Sequence, residues 1–288
     1  MARSSAASSS ARSKQQHVDR TRNGRREHQS TAGNGPEPDF DESYWEVSQR
    51  PFQVLVFLLP LVIFYELAML SVLRLGDRTL TNQAHRTLLR FFDAFGIETS
   101  GWYLPGLALI AVLVAWQLLL RAPWRIDWRA FGLMWVESLA LAIPLLVAAQ
   151  LIKRIGLTEQ IPLAMSLSLA SDALSSLDFA GKIAISVGAG LYEELVFRML
   201  VLGVVHALIT DVAGASHRMG MTIAIIVSSI LFMIYHWYGA DPSSITLSLN
   251  AFYLTAGIYF GCMFAVRGFG IVVAAHALYD IITALALM

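Results

Sequence analysis

The stretch Ala180–Leu208 reads AGKIAISVGAGLYEELVFRMLVLGVVHAL, and its composition decides the fold. It is longer than the roughly 20 mostly apolar residues that cross a bilayer as a helix. Even so, it contains two adjacent acids, Glu193 and Glu194, and a base, Arg198. Ionisable side chains inside a membrane span are costly, so each of them is a candidate for function. The stretch therefore predicts a transmembrane helix that carries part of a site.

The composition of the whole chain agrees with a membrane protein. Of its 288 residues, 56% are hydrophobic and 15% are charged, whereas soluble domains average about 25% charged residues. This high hydrophobic and low charged content excludes a soluble enzyme. The net charge of zero gives no electrostatic footprint for nucleic acid. The single cysteine, Cys262, excludes an intrachain disulfide and a thiolate metal cluster.

Six further apolar runs predict an all-α fold, a polytopic transmembrane helix bundle of about seven to eight spans. An open sheet cannot satisfy its backbone in lipid, and the runs do not alternate as barrel strands do. The segment 157–178 is moderately apolar, so a surface loop, a re-entrant segment and an eighth crossing all stay open. The six runs lie near 52–73, 102–120, 131–152, 219–238, 245–266 and 268–287.

The segments outside these spans divide the chain into three parts. Residues 1–43 are rich in Ser, Arg and Gly and poor in large apolar residues, which predicts a disordered polar tail. Residues 44–179 are expected to hold transmembrane and interfacial helices, including an amphipathic helix over 83–95. Residues 180–288 are expected to form a transmembrane core that contains Glu193, Glu194 and Arg198.

The distribution of Lys and Arg predicts the orientation of an integral, multi-pass membrane protein. With seven spans, these residues are more numerous on the side that holds the N-terminus, which predicts a cytoplasmic N-terminus. An eighth crossing at 157–178 would reverse the orientation of everything after it.

The C-terminal spans hold further ionisable groups at helical spacing. His236 lies in one span, and His276 and Asp280 lie four residues apart in the last. Glu194 and Arg198 are also four apart in the order that favours a helical ion pair. Glu193 faces about 100° away and lacks that cation, so it is suited to exchange a proton as a general base or acid.

Other polar and small residues in the spans have a structural interpretation. Glu66 and Glu137 are expected to be hydrogen-bonding partners between helices, and His206 is expected to be a satisfied structural group. Small residues in membrane helices allow close packing, which is the role expected for the glycines at 188, 190 and 203.

Three motifs in order resemble the CPBP/Abi family of intramembrane proteases, which includes the type II CAAX prenyl endopeptidases. They are Glu-Glu-x-x-x-Arg at 193–198, Phe-x-x-x-His at 232–236 and His-x-x-x-Asp at 276–280. The resemblance covers roughly residues 180–288. It implies an intramembrane endopeptidase, a hydrolase that acts on a protein or peptide, prenylated or not, within the membrane lipid.

The resemblance also implies a role for each matched residue. Glu193 would activate water with the help of His236, and His276 and the residue four positions later would stabilise the oxyanion. That position is often Asn in eukaryotic members and is Asp280 here. An ionised Asp would repel an oxyanion, so Asp280 is protonated, orients His276, or has another role. Glu194 and Arg198 would support the site.

Two alternatives stay open at this stage. In the favoured interpretation no cofactor is required. The alternative chemistry is that of a zinc metalloprotease with Glu193, His236 and His276 as ligands, since two His and one Glu can form a catalytic zinc site. The alternative function is a non-catalytic membrane protein, such as a scaffold, a bacteriocin-immunity factor or a transporter, that uses the same polar site.

Overall fold

The computed structural model describes residues 43–71, 73–75, 78–79, 81–97, 102–154, 177–237 and 245–286. The predicted tail over 1–43, except Ser43, lies outside these residues, and so does most of the segment 157–178. The described part is helical, as predicted, apart from one pair of two-residue antiparallel strands, β1 (Arg74–Leu75) and β2 (Arg78–Thr79).

The helices follow the apolar runs of the sequence. Among the described residues, five helices are long and apolar enough to cross a membrane, and two shorter helices, Leu104–Leu120 and Phe269–Leu285, are also apolar. The helix that begins at Phe179 continues through a π-helical segment, Leu195–Leu202, a short α-helix, Gly203–Ala207, and a second π-helical segment, Leu208–Val212. The α-helices are α1 (Tyr44–Val47), α2 (Pro51–Leu70), α3 (Gln83–Ala94), α4 (Leu104–Leu120), α5 (Trp128–Arg154), α6 (Phe179–Glu194), α7 (Gly203–Ala207), α8 (His217–Tyr235), α9 (Leu247–Arg267) and α10 (Phe269–Leu285).

Local sequence signals set the ends of several helices. The side chains of Asn82, Asp178, Ser216 and Thr246 each accept a backbone N–H in the first turn of the helix that follows, which satisfies a donor that has no partner within the helix. Gly268 has φ 79°, a value that favours glycine. It separates α9 from α10 between the predicted runs 245–266 and 268–287.

The amphipathic helix predicted over 83–95 is α3. Its Ala84, His85 and Leu88 are buried, whereas Phe91 and Phe95 are exposed. Gln83 Nε2 donates to the carbonyl of Tyr235 (3.1 Å), and the hydroxyls of Thr87 and Tyr235 are 2.9 Å apart. The polar groups of α3 therefore hold this helix against the C-terminal end of α8.

Helix α10 is the centre of the bundle. It packs against α6, α5, α9 and α2, and most of its side chains from Phe269 to Asp280 are buried. At Gly190 the backbone of α6 comes so close to α10 that an added Cβ would lie 2.8 Å from the Ala277 nitrogen and the Val273 oxygen. Close packing at Gly188 and Gly190 is therefore confirmed. The same expectation for Gly203 is wrong, because a Cβ added there would have no atom of a neighbouring described element within 4 Å.

Gly190→Ala is expected to lower the thermal stability of the protein in detergent. The new methyl group would press on α10 backbone, which cannot rotate away, and overpacking of this kind costs about 1–3 kcal/mol. Gly203→Ala is the matched control, since its methyl group meets open space and alanine favours the helix. Equal melting temperatures for the two variants would contradict the close contact at Gly190.

Candidate active site

Three helical segments bring the predicted site residues together inside the bundle. Glu193 and Glu194 end α6, His236 follows the last residue of α8, and His276 and Asp280 lie on α10. Their exposed fractions are 5% or less. Sequence-distant ionisable groups thus share one buried region, where each one needs a partner.

The Glu193 carboxylate lies between two imidazoles. Its Oε2 is 3.7 Å from His236 Nε2 and 4.0 Å from His276 Nε2. These separations are longer than direct hydrogen bonds and suit groups that share a water molecule. Glu193 and both histidines therefore face the same small volume.

Each imidazole is oriented by a partner on its other nitrogen. His236 Nδ1 is 2.8 Å from the Phe232 carbonyl oxygen. A carbonyl oxygen only accepts, so Nδ1 carries the hydrogen, and Nε2 of the neutral ring presents its lone pair towards Glu193. His276 Nδ1 is 2.7 Å from Glu194 Oε1, which likewise turns its Nε2 towards Glu193.

Glu194 and Arg198 form the ion pair that the spacing predicts. Glu194 Oε2 is 3.0 Å from Arg198 Nε, and both side chains are fully buried. The Arg198 guanidinium lies over the ring of Phe232, 4.5 Å from its centroid, and its Nη2 is 3.4 Å from the Gly257 carbonyl oxygen. One carboxylate thus links Arg198 to His276.

Arg198 occupies a π-helical segment. Such segments are rare and are often found at functional sites. Here the segment begins at Leu195, directly after the two acids. The hydroxyl of Ser228 on α8 donates to the Phe197 carbonyl at 2.7 Å, so a carbonyl of this segment has a partner from a neighbouring helix.

Asp280 approaches the Nε2 atom of His276 and not its Nδ1 atom. Its Oδ2 is 3.6 Å from His276 Nε2, the nitrogen that also faces Glu193. The other ring nitrogen of His276, Nδ1, contacts Glu194. The structure therefore gives the orienting contact to Glu194, and Asp280 lies on the side of the ring that faces Glu193.

Sequence reasoning missed the aromatic walls that α9 contributes. The ring of Tyr253 stacks on His236 with centroids 4.0 Å apart, and Phe260 stacks on His276 at 4.8 Å. Tyr253 and Phe260 are seven residues apart, so they share a helix face with Gly257 between them. The seven-residue spacing was the signal for these aromatic walls in the sequence, although ordinary core packing produces the same pattern.

The remaining intramembrane acids have the structural roles expected of them. The Tyr192 hydroxyl donates to Glu66 Oε1 at 2.7 Å. Glu137 forms a bidentate ion pair with Arg267 at the end of α9 and accepts a hydrogen bond from Tyr44. Both acids link different helices and stand apart from the candidate site.

A second polar cluster lies where α3 meets α2 and α6. The hydroxyls of Tyr65 and Thr81 are 2.8 Å apart, and the ring of His85 contacts those of Tyr65 and Tyr192. Burial lowers the pKa of His85 to about 4, so this ring is neutral at physiological pH. His85 therefore contributes ring packing and no charge to this cluster.

The zinc alternative concerns Glu193, His236 and His276. Among the described residues, no three or more His, Cys, Asp or Glu side chains are grouped closely enough to hold a metal ion. The zinc alternative stays a prediction, to be decided by the chelation experiment below.

The comparison with protein families matches the region that contains these residues. A model of the family described as type II CAAX prenyl endopeptidase Rce1-like matches residues 176–282. The predicted resemblance to the CPBP/Abi family is confirmed. The Rce1-like region contains every predicted site residue, from Glu193 to Asp280. No curated protein and no solved structure matches the chain significantly.

The family match and the apolar helices together establish the general class. The protein is an integral, multi-pass membrane protein, and its Rce1-like region supports a protease, which is a hydrolase. The cytoplasmic placement of the N-terminus and the domain boundary at 179–180 stay predictions.

Proposed function

We propose that the protein is an intramembrane endopeptidase in which Glu193 activates a water molecule for attack on a peptide bond. The observation that carries the proposal is the position of Glu193 Oε2, 3.7 Å and 4.0 Å from the Nε2 atoms of His236 and His276. In this arrangement the Glu193 carboxylate can accept a proton from water, and an imidazole beside it can donate a hydrogen bond.

The proposed reaction proceeds by addition and elimination. Glu193 takes a proton from water, and the water oxygen attacks the carbonyl carbon of the peptide. Glu193 then returns the proton to the amide nitrogen as the C–N bond breaks. The neutral His236 assists, because its Nε2 lone pair faces the water site and its Nδ1 hydrogen is engaged with Phe232.

His276 would stabilise the oxyanion that forms on the carbonyl oxygen. In its protonated form it donates from Nε2, while the Glu194 carboxylate at Nδ1 balances its charge. Donors that are already in place are effective in a buried site, since no solvent has to reorganise. Glu194 and Arg198 act through His276 and are positioning residues.

Asp280 is proposed to assist His276 as a second hydrogen-bond donor to the oxyanion. Asp280→Asn should therefore keep peptidase activity within about threefold, because an amide N–H can donate from the same place. Asp280→Ala should lower kcat by about 10²-fold, the effect of removing one oxyanion donor. If Asp280→Asn is as inactive as Asp280→Ala, Asp280 acts through its negative charge and this role is wrong.

The substrate is proposed to be a protein or peptide of the CAAX type, presented from the membrane. The full chain, reconstituted in liposomes, would be incubated with a peptide that ends in a farnesylated CAAX sequence and with the same peptide lacking the lipid. We expect mass spectrometry to show cleavage of the farnesylated peptide, with ¹⁸O from labelled water in the new carboxylate. Failure of a folded, reconstituted protein to cleave either peptide would contradict the proposal.

The metal-free chemistry is tested in the same assay. Activity should survive exhaustive treatment with a membrane-permeant chelator, since the proposed steps use only side chains and water. Complete loss of activity that only zinc restores, together with one zinc ion per chain that Glu193→Gln removes, would favour the zinc alternative.

A further inference from the structure

A second histidine pair lies far from the candidate active site. His206 is in the last turn of α7, and His217 is the first residue of α8. Their ring nitrogens, Nε2 of His206 and Nδ1 of His217, are 3.0 Å apart on the surface of the protein. His206 was expected to be a structural group, and its pairing with an exposed histidine suggests a further use.

The two ring nitrogens are within hydrogen-bonding distance, so one donates to the other; a shift of the donating ring to its other tautomer leaves a lone pair on each nitrogen for one ion. The ring planes meet at 75° with centroids 4.7 Å apart. Metal–nitrogen distances for imidazole are about 2.0–2.1 Å. Two nitrogens 3.0 Å apart would therefore subtend an angle of roughly 95° at the ion, close to the cis angle of square-planar or octahedral sites, which suit Ni²⁺ and Cu²⁺.

The backbone around the pair is held in place. The Thr210 hydroxyl donates to the His206 carbonyl at 2.9 Å. A Cβ at Gly220 would lie 3.3 Å from His206 Cδ2, so the ring of His206 packs directly on α8. Because α7 and α8, which carry the two rings, pack against each other, a metal ion can bind with little further ordering of the backbone.

We infer that His206 and His217 form a binding site for a divalent transition-metal ion, with two protein ligands and water in the other positions. The site would join the end of the segment that carries Glu193 to the start of α8, which leads to His236. The inference does not depend on the proposed peptidase function.

The metal site and the candidate active site lie at opposite ends of α8. His217 and His236 are separated by 19 positions, which is about 28 Å along a helix. Metal binding at this site therefore acts on the stability of the protein and takes no part in the proposed reaction.

Titration with Ni²⁺ tests the site on the full chain without a polyhistidine tag. We expect saturating Ni²⁺ to raise the melting temperature in detergent by about 3 °C or more, because an ion that binds only the folded state stabilises it. The shift should disappear in His206→Asn and in His217→Asn. It should persist in Glu193→Gln and in the double variant His17→Asn/His28→Asn, which removes the two histidines before Ser43.

A spectroscopic measurement makes the test independent of stability. With one equivalent of Cu²⁺, the electron paramagnetic resonance spectrum should show two imidazole nitrogens in the wild type and at most one in His206→Asn. Absence of a Ni²⁺ shift in the wild type, or a shift and spectrum that are unchanged in both single variants, would overturn the inference.

Discussion

Glu193→Gln should lower kcat/KM for the farnesylated peptide by roughly 10³-fold or more, within the range of general acid–base catalysis. The amide has nearly the same shape as the carboxylate but cannot take a proton from water. The contacts of His236 with Phe232 and of His276 with Glu194 do not involve Glu193, so the fold should persist. Rates are measured under single-turnover conditions in liposomes, with melting temperature as the measure of folding.

Glu66→Gln is the matched control for this variant. Glu66 is also an intramembrane carboxylate, but its Oε1 accepts from Tyr192, and a Gln oxygen can accept the same hydrogen bond. Its activity should remain within a few-fold of the wild type. If Glu193→Gln keeps full cellular function and full activity, the protein belongs to the non-catalytic alternatives or uses another base.

Much of the fold could be predicted because the constraint of lipid is severe. Only closed backbone hydrogen bonding is tolerated in the hydrocarbon core, so apolar runs of sufficient length become helices, and Gly268 could be identified as the break between α9 and α10. The strand pair from Arg74 to Thr79 was not predicted, since four residues outside the spans carry no periodic signal. Gly203 was misassigned because its neighbours in space depend on helix rotation, which the sequence does not give.

The candidate site could be predicted to the level of residues but not of contacts. The cost of burying charge identified Glu193, His236 and His276. The spacing placed His276 and Asp280 on one helix face. It could not show that the contact at His276 Nδ1 is made by Glu194, which lies on another helix. The stacking of Tyr253 on His236 depends on the packing of α9 against α8, a tertiary fact that helical spacing alone cannot supply.

Arg198→Ala should lower the free energy of unfolding by about 3–5 kcal/mol, the cost of breaking a buried ion pair. The guanidinium is fully buried against Glu194 and lies over the rings of Phe232 and Phe260. Its removal leaves the Glu194 carboxylate without its cation and leaves a space between those rings. Thermal unfolding in detergent, followed by tryptophan fluorescence, would measure the loss.

The double variant Glu194→Gln/Arg198→Ala separates the effect of leaving the Glu194 carboxylate without its cation from the effect of the space left between the rings. A neutral Gln needs no cation and can still accept from His276 Nδ1, so the double variant should be more stable than Arg198→Ala alone, a non-additive result expected for contacting residues. Arg218→Ala, at an exposed position near the start of α8, should change stability by no more than about 0.5 kcal/mol. A melting temperature for Arg198→Ala equal to that of Arg218→Ala would show that the buried ion pair contributes nothing to stability. In that case only the contact between Glu194 Oε1 and His276 Nδ1 would support the positioning role of Glu194.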